Sequence, residues 1–288
     1  MDSPISFTKM SGTGNDFIII DNRDRKIEKG RMAELAARIC RRRFSVGADG
    51  LILLEESARA DFRWQFYNGD GSEAEMCGNG ARCAARYAYS RGIAPARMHF
   101  ETIAGLIEAE MVGDSVKIRL TPPIDIFLSR SIEIDGQQKE VHSINTGVPH
   151  AVHFVKENGD VPIREWGKYI RFHKLFEPAG TNVNFVQISE KELYVRTYER
   201  GVEDETMACG TGAVASAIIA ALHGHVTSPV PVRTSGGDLL TIHFSLIELD
   251  ESPAAVDQES RHEQRIAEVF LEGPANFIYD GILNEEAL

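Results

Sequence analysis

The chain has 288 residues, of which 43% are apolar and 26% charged, ordinary proportions for a globular protein with room for one large or two ordinary domains. A net charge of −12, with Arg41-Arg42-Arg43 as the only basic cluster, argues against a binder of phosphate backbones. Four cysteines are too few for a disulfide scaffold, no apolar run nears the roughly 18 residues that span a bilayer, and no signal-peptide pattern opens the chain, so a reducing, cytoplasmic setting is expected.

In chain order, a Gly-rich turn, Ser11-Gly12-Thr13-Gly14-Asn15, precedes an apolar strand at 17–21 that displays a polar residue at its mouth. A helix is expected over 32–40, with Arg41-Arg42-Arg43 as its solvated C-terminus, favoured there by the helix dipole. Strands follow near 50–54 and 61–67, and then an acidic loop, 68–76, delivers Cys77. Cys77-Gly78-Asn79-Gly80-Ala81 opens an Ala-rich helix that stops at Gly92. Strands near 99–100, 106–111 and 116–120, with a hairpin turn at Gly113-Asp114, lead to Pro122-Pro123, which cannot continue a sheet ladder.

The same order then recurs. Cys209-Gly210-Thr211-Gly212-Ala213 opens a second Ala-rich helix, 132 residues after the first, and Gly224 follows Gly92 at the same spacing. At that offset Gly50 falls on Asn182 and Glu101 on Arg233, while Gly14 falls on Gly147 one residue out of step. Tyr67-Asn68 and Tyr198-Glu199 end the strand before each cysteine. We read two homologous halves, 1–123 and 124–274, with a polar excursion near 250–268 that forms a surface segment or short charged helix. A last strand at 276–279 has no third domain to join, so 275–288 is expected to return to the first half. Strands outnumber helices and many are joined by hairpin-length turns, so the fold class is α+β with largely antiparallel sheets. The helix after Cys209 is apolar almost all round, as a helix buried at the centre of a wrapped sheet would be.

A cysteine at a helix N-terminus lies beside unpaired amides and the positive end of the dipole, which favour thiolate. Two cysteines facing one carbon, one as thiolate and one as thiol, can remove a proton from one face and return one to the other, inverting a stereocentre without a cofactor or metal. Backbone amides of Gly78, Asn79, Gly210 and Thr211 would hold the substrate carboxylate. Cys40 and Cys83 lie inside helical patterns without repeat partners and read as structural.

The motifs resemble those of the diaminopimelate epimerases, PLP-independent amino-acid racemases. They are Gly12-Thr13-Gly14-Asn15-Asp16-Phe17, Tyr67-Asn68 with Cys77-Gly78-Asn79-Gly80-Ala81-Arg82, Glu101-Thr102, Gly147-Val148-Pro149-His150, Asn182-Val183-Asn184-Phe185, Tyr198-Glu199-Arg200-Gly201 and Ala208-Cys209-Gly210-Thr211-Gly212. They come in family order and cover nearly the whole chain outside 250–268. The resemblance implies two pseudo-symmetric domains with the active site in the cleft between them, and interconversion of L,L- and meso-diaminopimelate for lysine and peptidoglycan synthesis. It implies that Cys77 and Cys209 are base and acid, that His150 and Glu199 tune the thiols and touch the reacting amino group, and that Asn15, Asn68, Asn182 and Arg200 clamp the distal end. It also implies a homodimer. The chain departs from the pattern at Val148, where many members have Asn, and Gly50, where some have Gln. The residues alone leave open a racemase of the same fold acting on proline or hydroxyproline, and a thiol redox or zinc-binding protein.

Overall fold

The computed structural model describes residues 4–248 and 264–287. The chain divides into two compact units, residues 1–119 with 273–288, and residues 120–272.

The first unit contains β1 (Ile5–Gly12), β2 (Asn15–Asp21), α1 (Lys29–Ile39), β3 (Gly50–Glu55), β4 (Phe62–Asn68), α2 (Gly78–Ser90), β5 (Arg97–Thr102), β6 (Gly105–Val112) and β7 (Ser115–Arg119). The second contains β8 (Ile124–Ile134), β9 (Gln137–Asn145), β10 (Pro149–Val155), α3 (Ile163–Arg171), β11 (Asn182–Ile188), β12 (Leu193–Glu199), β13 (Asp204–Thr206), α4 (Gly210–Leu222), β14 (Val230–Thr234), β15 (Leu239–Glu248) and β16 (Gln264–Pro274). The final strand, β17 (Asn276–Leu283), pairs antiparallel with β1.

The sense of pairing is the same in both units. In the first, β1–β2 is antiparallel, β2–β3 parallel, β3–β4 antiparallel, β4–β5 parallel, and β5–β6–β7 antiparallel. In the second, β9–β10, β10–β11, β11–β12, β12–β14 and β14–β15–β16 repeat that series step for step. Each parallel pair needs a crossover, and a helix supplies it. Thus α1 joins β2 to β3 and α2 joins β4 to β5, as α3 joins β10 to β11 and α4 joins β12 to β14. The strand pairs β17–β1 and β8–β9 also correspond, so the chain's last strand occupies in the first unit the place that the second unit fills from its own first strand.

The two helices of each unit cover opposite faces of the strands. Met32, Leu35, Ala36 and Ile39 of α1 pack on Ile18, Ile20, Leu51 and Leu53. Ile163 and Ile170 of α3 pack on Ala151, Val183, Phe185 and Tyr198. On the other face α2 lies against β1, β2, β3, β6 and β7, and α4 against β9, β10, β11, β12, β14 and β15. A strand covered on both faces has no polar side to show, which is why β3, Gly-Leu-Ile-Leu-Leu-Glu, is buried throughout. Gly212 to Ala221 of α4 are likewise all buried.

Some boundaries differ from the sequence reading. Helix α1 starts at Lys29, three residues early, because its N-cap, Glu28, makes no capping side-chain bond that would mark the start. Of the polar excursion near 250–268, residues 250–263 lie outside the described residues, and 264–268 belong to strand β16 rather than to a charged helix.

Candidate active site

Cys77 and Cys209 are the N-caps of α2 and α4, both with extended backbone, φ −145° and −127°. In each case the cysteine carbonyl accepts the first helical bond, from Ala81 N–H at 2.8 Å and Ala213 N–H at 2.9 Å. The amides of Asn79 and Gly80 face the Cys77 sulfur, and those of Thr211 and Gly212 face the Cys209 sulfur. Of the amides assigned from sequence to a carboxylate, those of Asn79 and Thr211 are therefore turned onto the thiols.

The expected lowering of the thiol pKa is overturned. Burial pushes the Cys77 thiol up, outweighing the amides of Gly80 and Asn79 and the nearby Arg82. Burial, and next the negative charge of Glu199, push Cys209 up to about 11 against the bonds from Thr211 and Gly212. Enclosing a sulfur denies its anion water, and two amide bonds do not replace that hydration. Both thiols are protonated in the resting protein.

In the first unit, Thr13 (φ 52°) and Gly14 (φ 87°) form the left-handed turn that delivers Asn15 at the start of β2. Asn15 donates to Asp49 Oδ2 at 3.0 Å and accepts from Asn79 Nδ2 at 2.6 Å, while Asn79 Oδ1 accepts from Arg82 at 2.8 Å. The fully buried Arg82 also donates to Thr13 Oγ1 and to the Pro274 carbonyl. Asp16 pairs with Lys9 at 2.8 Å and with Arg42 at 2.5 Å. Burial alone would raise its pKa, yet Arg42 and Lys9 hold it at about 2. Arg42 is thus no idle member of a solvated helix end: it also bonds Asp49 at 2.9 Å and ties the turn bearing Asn15 to the start of β3. Asn68 ends β4, exposed, and donates to Ser72 Oγ at 2.9 Å.

The second unit links most of its expected residues directly. His150 and Asn182 are neighbours across the parallel pair β10–β11. His150 Nε2 lies 2.9 Å from Thr211 Oγ1, which lies 3.5 Å from Cys209 Sγ. Burial, and secondarily the charge of Arg200, lower the His150 pKa to about 3, so the ring is neutral. Asn182 accepts from the Arg200 backbone N–H at 2.8 Å and donates to the Pro149 carbonyl at 3.2 Å. The Arg200 guanidinium donates only to the Ala179 carbonyl, at 3.4 Å, and makes no ion pair among the described residues. Glu199, adjacent in sequence, faces Cys209 electrostatically.

Asn184 and Thr146 belong to this group and were not singled out from sequence. Asn184 is fully buried and bonds His150 Nδ1 at 3.1 Å; Thr146 donates to the Thr211 carbonyl at 3.0 Å. The only sequence signal was position, Asn184 inside the Asn-Val-Asn-Phe motif and Thr146 one residue before Gly147. Gly50 has no room for a side chain, since a Cβ there would stand 2.7 Å from Phe66 Cε2 and 2.8 Å from the Tyr67 carbonyl oxygen. Val148 is half-buried and its carbonyl accepts from Thr146 N–H at 3.1 Å. Among the described residues no three His, Cys, Asp or Glu side chains are arranged to hold a metal, and no helix is long and apolar enough to cross a membrane.

Comparison with known proteins gives the family of the chain. The chain is 46% identical to the diaminopimelate epimerase of Aquifex aeolicus, over 99% of each chain, and 40% identical to that of Archaeoglobus fulgidus, over 97% of this chain and 96% of the other. Among solved structures, a PhzF-family phenazine biosynthesis protein from Bacillus anthracis superposes with a TM-score of 0.70 at 16% identity, covering 98% of this chain and 99% of that one. A hydroxyproline epimerase from Agrobacterium vitis superposes with a TM-score of 0.66 at 14% identity, covering 99% of this chain and 94% of the other. Identities this low establish the shared α+β fold and nothing finer. The family model for diaminopimelate epimerase matches residues 7–124 and 142–245, and with the full-length relatives this shows that the chain belongs to the diaminopimelate epimerase family.

Proposed function

We propose that the protein interconverts L,L- and meso-diaminopimelate without a cofactor. One cysteine, as thiolate, takes the proton from Cα; the other, as thiol, gives its proton to the opposite face. Cys77 and Cys209 exchange these roles with direction, and the net charge of the pair is the same before and after. The observation that carries the reading is the repeated element itself, a cysteine capping a helix with two amides on its sulfur, in a chain whose full-length relatives bear this activity in their names.

Because both thiols rest protonated, substrate has to bring one of them to ionise, its proton leaving to water as the substrate enters. The α-ammonium group of the amino acid is a cation suited to that role, and Coulomb attraction inside an enclosed site is strong. His150 and Glu199 tune the thiols. The backbone amides of Gly78 and Gly210 hold the α-carboxylate and the negative charge that develops as the proton leaves, while those of Asn79 and Thr211 face the sulfurs. Asn15, Asn68, Asn182 and Arg200 grip the distal end, where an arginine with no carboxylate partner among the described residues suits a second carboxylate. Proline and hydroxyproline carry no distal carboxylate and would leave Arg200 without one. We further assign the enzyme to lysine and peptidoglycan precursor synthesis in the cytoplasm, as a homodimer, on family likeness.

Incubation of L,L-diaminopimelate with reduced protein, followed by separation of the stereoisomers, tests the reading, with proline and hydroxyproline run in parallel. Formation of the meso isomer alone is expected. Inversion of a proline instead would transfer the two-thiol chemistry to another substrate.

A further inference from the structure

The hydrogen bonds around His150 fix where its proton sits. Asn184 Nδ2 donates twice, to His150 Nδ1 at 3.1 Å and to the Ala151 carbonyl at 3.0 Å, and Asn184 Oδ1 accepts from the Thr197 hydroxyl at 2.9 Å. Turning the amide over would set Oδ1 against the Ala151 carbonyl, two acceptors face to face in a site from which water is excluded. The amide therefore has one orientation, and His150 Nδ1 is an acceptor. In a neutral imidazole the other nitrogen carries the proton, so Nε2–H donates to Thr211 Oγ1, 2.9 Å away. With its oxygen already accepting, the Thr211 hydroxyl has its own proton to place, and the Cys209 sulfur lies 3.5 Å away.

We propose that Asn184 is a positioning residue that holds His150 as its Nε2–H tautomer, and that His150 thereby commits the Thr211 hydroxyl proton to Cys209, where it favours the thiolate. The relay runs Asn184, His150, Thr211, Cys209, every bond pointing toward the sulfur. Neither nitrogen of His150 is then available as a base, and its part in the chemistry is to orient a donor. Glu199, the charged group facing the same sulfur, opposes ionisation, so the relay offsets a repulsion built into the site. Gly212 makes room for it, since a Cβ at that position would collide with Asn184 Oδ1. The relay deepens the epimerase reading and rests on it for its catalytic meaning.

Two measurements test it, neither requiring diaminopimelate. Long-range proton–nitrogen NMR of the histidine-labelled protein is expected to show His150 protonated at Nε2; a proton on Nδ1, or on both nitrogens at neutral pH, overturns the proposal. The second is the rate at which Cys209 is alkylated by iodoacetamide at pH 8, followed on its own peptide by mass spectrometry. Removing a hydrogen bond to an ionised group in Thr211→Val lowers the thiolate population about ten- to a hundredfold. A more basic thiolate attacks faster, so the alkylation rate falls about three- to tenfold. Thr211→Ser keeps the wild-type rate. Equal rates in wild type and Thr211→Val, or a fall in Thr211→Ser matching that in Val, overturn the relay. A protein that passes both tests yet leaves diaminopimelate unchanged would refute the epimerase reading alone.

Discussion

Opposed influences meet at the sulfur of each N-capping cysteine. The helix amides favour thiolate and burial favours thiol, and burial prevails, with Cys209 at about 11. Local sequence reveals the first influence, because Gly-x-Gly before a helix former is a local pattern. It is silent on the second, because the enclosing strands come from distant parts of the chain. That the two cysteines cap corresponding helices was legible through their repetition, but Asn184 acts through contacts with His150, Ala151 and Thr197 that only folding assembles. At this scale, Cys77→Ser and Cys209→Ser are each expected to lose epimerisation by at least about a hundredfold while keeping the far-ultraviolet circular dichroism of the fold, since a hydroxyl is a far weaker acid than a thiol. Near-normal turnover in either variant would remove the two-thiol mechanism. Arg200→Gln is expected to raise KM for diaminopimelate about tenfold or more, the size of a lost charge-assisted bond, with a smaller effect on kcat. Steady-state kinetics with an unchanged KM would take Arg200 out of substrate binding.

Helix α4 is the element whose environment the sequence foretold best. Its apolar run has no polar face, and strands surround it. The start of α1 was missed for want of a capping signal, and the ion pairs of Arg42 were missed because its partners, Asp16 on β2 and Asp49 just before β3, are brought to it by a strand approach that a one-dimensional pattern does not record. The glycines at the start of α4 separate packing from mere flexibility. Gly212→Ala puts a Cβ into Asn184 Oδ1 and is expected to destabilise the protein by about 1–3 kcal/mol in urea titration. Gly210→Ala meets only the Leu271 Cδ1 methyl, at 3.1 Å, the end of a side chain that can turn, and is expected to cost less. Equal losses in the two variants would contradict the close contact at Gly212.

Over the whole molecule the duplicated order of pairing was foreshadowed by constant spacing between motifs, whereas the parallel pairs within the mainly antiparallel units were not, because periodicity does not give strand direction. Charge and burial together set an acid limit on stability. Burial, with the neighbouring His223 next, lowers His142 to about 4, and burial lowers His150 to about 3, against 6.5 for an exposed histidine. The unfolded chain therefore takes up protons that the folded one refuses. Stability from these groups is complete above pH 6.5 and falls as pH drops through the folded values, by about 3 kcal/mol from each at pH 4. Melting temperature followed from pH 7 to 4 is expected to decline, and less steeply in His142→Asn, whose amide oxygen can still accept the Ser129 N–H that His142 Nδ1 accepts at 3.0 Å. An unchanged slope would contradict the assignment. The central claim, proton exchange at Cα by two thiols, is met most directly by NMR of L,L-diaminopimelate with the reduced protein in heavy water. Deuterium entering Cα as the meso isomer forms, and neither event with Cys77→Ser or Cys209→Ser, is the predicted result. Meso isomer formed with the original Cα proton retained throughout, or no exchange at all, would contradict it.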